Sequence, residues 1–581
     1  MDTPAAHKAN VPDFATAYYL LEGLNQIGID YLFCNFGTDH APIIDEMAHR
    51  RKRGEPMPAV VRCPHENTAV HMAAGYARVT GRGQGVLVHV DVGTANTANG
   101  LHNLFRSRLP VLLMAGKAPY TVNGELVGSR DTYVHFVQEP FDQASLVRPY
   151  LKWEWTLPSG VVVKEALRRA ASIMQSEPRG PVYLMMQRET LTQHWHADEI
   201  RRYPTERYAA ISGGGADPEL VTSLAEKLLA ATQPILITGY AGRNAHASRA
   251  IDELAQFAGI AVYEANVTNN ISHDSPCFVG FSADKAVPEA DVGVLVDVDV
   301  PWFPSDTQPN EKSFWAHIDI DILKPGSPMW TFPGNMRMQG DSGRILDQLL
   351  QAVKAKATPS FKEAVAARLP RIKAARQERI ARANKLAADK GRAGAINPHY
   401  LMAELAKLLD DQDIVFNEAV TNASAVLMQI PRRLPNTTVR AAGGGLGWSG
   451  GEALGARLAA PDRLAVQICG DGAFYFGNPA SVFAVAQQYK LPILSVVMDN
   501  SGWNAVKQST LRVYPEGEAK TANAFEAELA PNVRFTRIAQ AFGAFGEEVT
   551  DPADVPTALA RCIQEVRGGH TALLHARVIK M

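Results

Sequence analysis

Residues 468–500 read ICGDGAFYFGNPASVFAVAQQYKLPILSVVMDN, and two hydrophobic runs in this part of the chain end abruptly in oxygen-bearing side chains. The first run stops at a Gly-Asp-Gly centred on Asp471, and the second stops at an Asp-Asn pair that ends with Asn500. The 26 residues between them, 473–498, are enough for a crossover that contains a helix and returns to a neighbouring parallel strand. Asp471 and Asn500 are therefore predicted to lie side by side at the carboxyl ends of adjacent strands, where open α/β sheets bind ligands.

The residue types at this edge predict a metal bound together with a phosphate group. Carboxylate and amide oxygens suit Mg²⁺, which takes few protein ligands and completes its octahedron with phosphate oxygens and water. Gly470 and Gly472 allow a diphosphate to approach the backbone closely, and the N-terminus of the following helix favours its negative charge. Gly-Asp-Gly alone could simply end a strand in a turn, but its spacing to the second oxygen pair favours the binding site.

The remainder of the chain repeats the same alternation of strands and helices. At 581 residues it is too long for one hydrophobic core, and its patterns predict three doubly wound α/β domains with parallel sheets. The Ala-, Arg- and Lys-rich segment before the last domain predicts a solvated connecting helix that is interrupted near Pro370. The expected bounds are 11–190 for the N-terminal domain, 212–356 for the central domain, 357–395 for the linker and 396–581 for the C-terminal domain.

Composition excludes several classes of partner. The formal net charge is −2, so nothing indicates nucleic acid or an anionic membrane. No run of 18 apolar residues occurs, and the first residues lack the apolar core of a signal peptide. The five cysteines are scattered singly, without the spacing of a zinc site or a disulfide framework. We therefore expect a cytoplasmic protein.

A Gly-Asp-Gly followed by a distant Asn-Asn pair is the fingerprint of thiamine diphosphate enzymes, and this chain has Asp499-Asn500 at the second position. The sequence resembles the family that includes benzoylformate decarboxylase, acetolactate synthase and 2-hydroxyacyl-CoA lyase. The resemblance implies that Mg²⁺ is held by Asp471, Asn500 and the backbone carbonyl of Gly502. It also implies that the diphosphate binds to the C-terminal domain and that these further residues contact the cofactor: Thr421, Gly444, Leu446, Gly470, Gly472, Ala473 and Trp503.

The segment RCPHENTAVHMAAGYARVTG, residues 62–81, carries the second match. Taken alone, Glu66 is a polar residue that opens an Ala-rich helix, where a negative charge is favourable. The resemblance implies that Glu66 is the carboxyl group that activates the cofactor by hydrogen bonding to its pyrimidine ring, so that the N-terminal domain binds the pyrimidine. In the family this residue reaches the cofactor of another subunit, which implies a homodimer or homotetramer with active sites at the subunit interface.

Three histidines are candidates for contact with the substrate. His89 follows a strand at the position where benzoylformate decarboxylase has an active-site histidine, and a near-neutral pKa would suit it to proton transfer. A lone histidine on a strand is more often a core residue. Asp39 and His40 lie in NFGTDHAP, where the family usually has Gly-x-Pro-Gly, and are expected near the substrate entrance. The role of His135 stays open.

The expected activity is thiamine-diphosphate-dependent cleavage or formation of a C–C bond next to the carbonyl of a small substrate. Decarboxylation of a 2-oxo acid, with carboligation of the resulting acyl group, comes first. A 2-hydroxyacyl-CoA lyase is the enzymatic alternative, and a non-catalytic cofactor-binding protein on the same fold is the other. The sequence GYAGRN does not decide whether the central domain binds FAD or ADP.

Overall fold

The structure, a computed structural model, describes residues 12–204, 207–265 and 268–580. Residues 11 and 581, which the sequence assigns to the first and last domains, lie outside these ranges. Within them, three six-stranded parallel sheets are each accompanied by helices. The predicted class, doubly wound parallel-sheet α/β domains, is confirmed. None of the helices in the described ranges is both long enough and apolar enough to cross a membrane.

The N-terminal region builds its sheet around central strands that are buried on both faces. Its strands are β1 (Asp13–Ala15), β2 (Tyr31–Cys34), β3 (Ala59–Arg62), β4 (Gln84–Val88), β5 (Val111–Lys117), β6 (Trp153–Thr156), β7 (Val182–Gln187) and β8 (His194–His196). Its helices are α1 (Thr16–Gln26), α2 (Ala41–Arg53), α3 (Glu66–Thr80), α4 (Val92–Arg106), α5 (Val134–Val137), α6 (Val163–Gln175) and α7 (Arg188–Thr192). The sheet has the order β3-β2-β4-β5-β7-β6, and β1 pairs with β8. Because helices cover both faces, β4 and β5 are continuously hydrophobic.

The central region has a different strand order. Its helices are α8 (Pro218–Ala230), α9 (Ala245–Ala258) and α10 (Ser342–Lys356). Its strands are β9 (Pro234–Thr238), β10 (Ala261–Glu264), β11 (Phe278–Gly280), β12 (Val292–Val296), β13 (Phe314–Asp319) and β14 (Met336–Gln339). They are ordered β11-β10-β9-β12-β13-β14, the pattern of dinucleotide-binding sheets. Beyond the carboxyl end of β9 the chain's own side chains meet, since Lys324 Nζ donates to Tyr240 Oη (2.8 Å) and Asp319 Oδ2 (2.6 Å).

The connecting segment is one helix, α11 (Pro359–Ala388), followed by the short pair β15 (Gly391–Arg392) and β16 (Ala395–Ile396). The prediction of an interruption near Pro370 was wrong, because the helix runs through it. A proline removes one backbone hydrogen bond, but its neighbours anchor the helix. Ile372 is buried, and the buried Arg368 donates from Nη1 to the carbonyl of Ala258 (2.7 Å).

The C-terminal region repeats the strand order of the N-terminal one. Its helices are α12 (Pro398–Ala406), α13 (Ala423–Gln429), α14 (Ser449–Ala459), α15 (Asp471–Phe476), α16 (Pro479–Tyr489), α17 (Asn504–Val513), α18 (Glu518–Thr521), α19 (Phe535–Ala541) and α20 (Val555–Arg567). Its strands are β17 (Ile414–Glu418), β18 (Thr438–Val439), β19 (Ala465–Gly470), β20 (Leu494–Asp499), β21 (Phe545–Val549) and β22 (Ala572–Arg577). The sheet order β18-β17-β19-β20-β22-β21 matches the N-terminal order strand for strand.

The chain divides into two compact units. The first contains the residues up to 211 together with 441–462 and 475–492, and the second contains 212–440, 463–474 and the residues from 493 onward. In the first unit α14 packs against α3, where Arg78 Nε and Glu452 Oε2 form a buried ion pair of 2.9 Å. The helix that begins with Glu66 is therefore firmly held along its length.

Candidate active site

The carboxyl end of the C-terminal sheet brings together three of the predicted cofactor residues. β19 and β20 pair in parallel register, so that Asp471 and Asn500 follow neighbouring strands. Thr421 lies in the turn after β17, the strand on the other side of β19. The strand order reverses between β17 and β19, and such switch points are where doubly wound sheets bind ligands.

The Asp471 carboxyl group is buried without a compensating cation. Burial, and to a lesser degree the neighbouring charge of Asp499, raises the pKa of Asp471 to about 6, although backbone N–H groups of Gly472 and Gly502 oppose the shift. Among the residues that the structure describes, no Lys, Arg or His forms an ion pair with it. A carboxylate in this setting is stabilised by a bound cation.

Asp499 has the opposite environment, which explains why this chain has Asp where the fingerprint usually has Asn. His575 Nε2 lies 2.8 Å from Asp499 Oδ2, and the Arg577 guanidinium donates to the same oxygen. Burial alone would raise the pKa of Asp499. The contacts with His575, Arg577 and the N–H of Ser501 lower it by more than burial raises it, so the net shift is downward. Both partners lie on β22, the strand paired with β20. The charge of Asp499 is thus balanced by contacts from the neighbouring strand β22.

Gly472 and Trp503 pack against each other at the turn after β19. A Cβ on Gly472 would lie 2.5 Å from Trp503 Cδ1, so no other residue fits beside this indole. The Trp503 side chain stays 41% exposed, whereas Ala473 is buried. A cavity of about 300 Å³ adjoins them, and its lining includes Asn500, Gly502 and Trp503. Aromatic, amide and backbone groups therefore face one space.

Glu66 opens α3 in the first unit. The ring of His65 caps the helix by accepting the N–H of Asn67 (3.1 Å). Glu66 is 8% exposed, and Asn96 Nδ2 donates to its Oε2 (3.1 Å). The carboxyl group is thus oriented by the Asn96 amide and is only slightly exposed.

An asparagine-rich face of α4 holds the glycine-rich loop 443–447. Asn103 Nδ2 donates to the carbonyl of Gly445 (3.0 Å), and the N–H of Gly445 donates back to Asn103 Oδ1 (3.1 Å). Asn99 Nδ2 donates to the carbonyl of Leu446 (2.9 Å), and the N–H of Gly444 donates to His102 Nε2 (3.0 Å). Gly444 and Leu446 are therefore clamped in position, in the same unit as Glu66.

These asparagines were not predicted as functional from the sequence, although their spacing carries a signal. Asn96, Asn99 and Asn103 have the spacing i, i+3, i+7, which places them on one helical face. A polar stripe of this kind on a helix packed in a domain indicates a binding or clamping surface. Asn67, whose Nδ2 donates to the carbonyl of Gly447 (3.0 Å), extends the clamp from α3.

His89 and Asp39 meet at the carboxyl edge of the N-terminal sheet. His89 Nδ1 lies 2.5 Å from Asp39 Oδ1, and the N–H of Val90 donates to Asp39 Oδ2 (3.0 Å). Burial lowers the pKa of His89, but the hydrogen bond and charge of Asp39 outweigh burial and raise it overall. His89 keeps an 18% exposed side chain. His89 and Glu66 both lie beside Gly93, because a Cβ at that position would be 3.2 Å from His89 Cβ and 3.5 Å from Glu66 Oε1.

His40 and His135 are both buried in the N-terminal region. Asp39 and His40, which the sequence predicts near the substrate entrance, lie in a turn that folds inward and leaves them 1% and 0% exposed. His40 Nδ1 accepts the N–H of Gly37 (3.0 Å), and its Nε2 faces Asp39 Oδ2 at 3.4 Å. His135 is buried beside the ion pair of Arg188 and Asp131.

Two family models match the chain. The model of the thiamine pyrophosphate enzyme N-terminal TPP binding domain matches residues 15–146, and that of the C-terminal TPP binding domain matches residues 419–576. The chain contains both thiamine pyrophosphate binding domains of these enzymes. The first match includes Glu66 and His89, and the second includes Asp471 and Asn500.

Related proteins align with the chain over most of its length. Benzoylformate decarboxylase of Pseudomonas aeruginosa is 26% identical over 84% of this chain and 86% of its own. The acetolactate synthase large subunit of Haemophilus influenzae is 23% identical over 94% of this chain and 91% of its own. These relatives are enzymes, as the sequence predicts for this chain.

Solved structures share the fold. The thiamine diphosphate-dependent 4-hydroxybenzoylformate decarboxylase of Rhodococcus jostii RHA1 superposes with a TM-score of 0.76 at 20% identity, over 98% of this chain and 100% of that one. Benzoylformate decarboxylase of Polynucleobacter necessarius gives 0.77 at 18% identity, over 98% and 99%. At such identities the likeness establishes the fold alone.

Proposed function

We propose that this protein is a Mg²⁺- and thiamine-diphosphate-dependent enzyme that decarboxylates a 2-oxo acid and can join the acyl group to an aldehyde. The observation that carries the proposal is the pair of carboxyl groups on the two cofactor-binding domains. Glu66 is held by Asn96 on one, and on the other Asp471 is buried without a cation partner among the residues that the structure describes. A protein that only bound the cofactor would not need Glu66.

The residues at the C-terminal sheet edge fit a metal–diphosphate group. A Cβ on Gly470 would meet no atom within 4 Å, so the backbone there faces open space. The raised pKa of Asp471 marks a carboxylate that a divalent cation would stabilise. Asp471, Asn500 and the carbonyl of Gly502 would hold Mg²⁺, which is an oxygen-only set. Thr421, Gly470, Gly472, Ala473 and Trp503 would surround the diphosphate.

Bound thiamine diphosphate supplies a carbon nucleophile that adds to a carbonyl and accepts the electrons of the broken C–C bond. The Glu66 carboxyl group would exchange a proton with the pyrimidine ring nitrogen, and Asn96 orients it through Oε2. Leu446 and the carbonyl of Gly444 would support the bent cofactor, because the asparagine clamp holds their loop. A Cβ on Gly444 would also meet no atom within 4 Å.

His89 would carry protons to and from the reacting substrate. Its side chain is partly exposed, it flanks the same glycine as Glu66, and its pKa is shifted upward from 6.5. Histidine side chains ordinarily titrate near neutral pH, which suits them to general acid–base catalysis. His40 was also a candidate, but it is fully buried, and we assign it contact with Asp39 rather than with substrate. His135 is not assigned a role in the reaction.

Several further statements belong to the same proposal. We keep the domain bounds 11–190, 212–356, 357–395 and 396–581. A homodimer or homotetramer with Glu66 supplied by a partner subunit follows the resemblance, although α3 and the loop 443–447 already lie together in one chain. A cytoplasmic location agrees with five free, buried cysteines. FAD or ADP in the central domain is left out of the proposal.

A panel assay tests the substrate class. The purified protein with Mg²⁺ and thiamine diphosphate is incubated with aromatic and aliphatic 2-oxo acids, with and without acceptor aldehydes, and CO₂ and acyloin products are measured. We expect CO₂ or carboligation from at least one acid, and loss of both in Glu66→Gln. Turnover of 2-hydroxyacyl-CoA esters alone, releasing formyl-CoA, would replace the proposal with the lyase. A benzoylformate arm is included because a relative carries that name.

A further inference from the structure

The N-terminal sheet has its own switch point, and Asp39 and His89 occupy it. The strand order reverses between β2 and β4, as it does between β17 and β19 in the C-terminal sheet. Asp39 follows β2 and His89 follows β4 directly. In doubly wound sheets this crevice is where ligands bind, so the pair lies where the fold places functional groups.

Two glycines make room for this pair of side chains. A Cβ on Gly116 of β5 would lie 1.6 Å from Asp39 Oδ2, and a Cβ on Gly37 would lie 2.0 Å from His89 Nδ1. Neither position tolerates a side chain while the contact between Asp39 and His89 exists. The backbone around the pair is therefore adapted to it.

The hydrogen bonds define the proton positions. Asp39 accepts the N–H of Val90 on one oxygen, while the other lies 2.5 Å from His89 Nδ1, so that Nδ1 carries a proton. Burial alone would raise the pKa of Asp39, but His40 and His89 lower it by more than burial raises it. The carboxyl group is therefore ionised at neutral pH. Nδ1 is thus committed to Asp39, which leaves Nε2 as the nitrogen that can take up or release a proton.

We propose that Asp39 is a positioning residue that fixes the His89 tautomer and orientation, so that His89 exchanges protons with the substrate through Nε2. This inference rests on the proposed function, in which His89 acts on the substrate. It also gives a purpose to the departure of NFGTDHAP from the usual Gly-x-Pro-Gly: the loop delivers a buried carboxylate to the histidine. The charged and titratable groups that act on His89 are Asp39, Glu66, His40 and His135, with Arg188 behind His135.

Imidazole NMR on the intact protein tests the geometry without any turnover. The histidines are labelled with ¹⁵N, and the His89 signals are identified by their loss in His89→Gln. We expect wild-type His89 to carry its proton on Nδ1 and to titrate above 6.5, and to titrate at lower pH in Asp39→Asn. Asp39→Ser provides a second variant if the first folds poorly. Asp131→Asn is the matched control, since Asp131 contacts another histidine, His135, at 3.1 Å.

Steady-state kinetics test the consequence for catalysis. If neutral His89 is required, protonation produces the acidic limb of the kcat profile, and Asp39→Asn should move this limb to lower pH while lowering kcat at least about tenfold. A variant that merely loosened the fold would lose activity at every pH without moving the limb. Asp131→Asn should keep both the limb and the rate.

Failure of the role proposed for Asp39 and failure of the proposed function give different results. An unchanged His89 titration and tautomer in both Asp39 variants overturns the inference, and so does an unmoved acidic limb. If wild type turns over no 2-oxo acid, the proposed function fails, whereas the NMR result still decides whether Asp39 sets the state of His89.

Discussion

Replacement of Asp471 by Asn should stabilise the cofactor-free protein, although it removes the residue we assign to the metal. Burial and the charge of Asp499 raise the Asp471 pKa from 3.8 to about 6, so that ionisation is unfavourable in the folded state. The gap between these values corresponds to at most about 3 kcal/mol. The folded state binds this proton more tightly than the unfolded state, so stability falls as pH rises from about 3.8 to 6 and stays lower above it. Asn has no charge to bury.

Asp499→Asn is the matched control because it should have the opposite sign. The Asp499 carboxylate pairs with the buried His575 and with Arg577, and Asn in its place removes the negative charge from both contacts. Breaking such a pair costs about 3–5 kcal/mol. Two isosteric changes at the ends of one strand pair are therefore expected to shift stability in opposite directions.

Urea unfolding of the cofactor-free variants at pH 8 and pH 4.5, followed by circular dichroism, measures both effects. Asp471→Asn should unfold at higher urea than wild type at pH 8, with a smaller difference at pH 4.5. Addition of Mg²⁺ and thiamine diphosphate at 100 times the dissociation constant should stabilise wild type by about 2.7 kcal/mol and leave Asp471→Asn unchanged. A cofactor-free Asp471→Asn protein that is less stable than wild type at pH 8 would refute the reasoning.

Three further changes test other parts of the site. Glu66→Gln and Asp471→Ala subunits, mixed in equal amounts, should recover about a quarter of wild-type activity if sites form between subunits, because half of the dimers are mixed and each has one intact site. No recovery in the activity assay would show that each chain completes its own site. His89→Ala should bind the cofactor normally in calorimetry and lose about 10²–10⁴-fold in turnover; unchanged turnover would make His89 a structural residue. Gly472→Ala should displace the Trp503 indole and weaken cofactor binding, and an unaltered tryptophan emission spectrum together with unaltered affinity would contradict the packing.

The fold and the placement of Asp471 and Asn500 at neighbouring strand ends were predictable because they depend on local patterns. Each hydrophobic strand ends at a polar residue, and the length of the crossover between Gly472 and Asp499 determines which strands become neighbours. The resemblance then predicts a role for Glu66 from a motif that is continuous in the chain.

Contacts between distant residues were not predictable. The partners of Asp499 lie 76 and 78 positions away, on a strand whose register only the folded sheet defines. The pairing of Asp39 with His89 spans 50 positions and depends on Gly116, a third segment. The continuous α11 depends on tertiary anchoring of Arg368, which outweighs the local effect of Pro370.

Hydrogen–deuterium exchange at the thiazolium carbon of the bound cofactor tests the central claim most directly. Wild type and Glu66→Gln, both saturated with Mg²⁺ and thiamine diphosphate, are mixed with D₂O, quenched in acid and analysed by proton NMR. Glu165→Gln, a substitution of the same kind on α6 of the same domain, is the control. We expect rapid exchange in wild type and in the control, and exchange at least about 10²-fold slower in Glu66→Gln with binding largely intact. Equal exchange in all three proteins would contradict the assignment of Glu66 as the group that activates the cofactor.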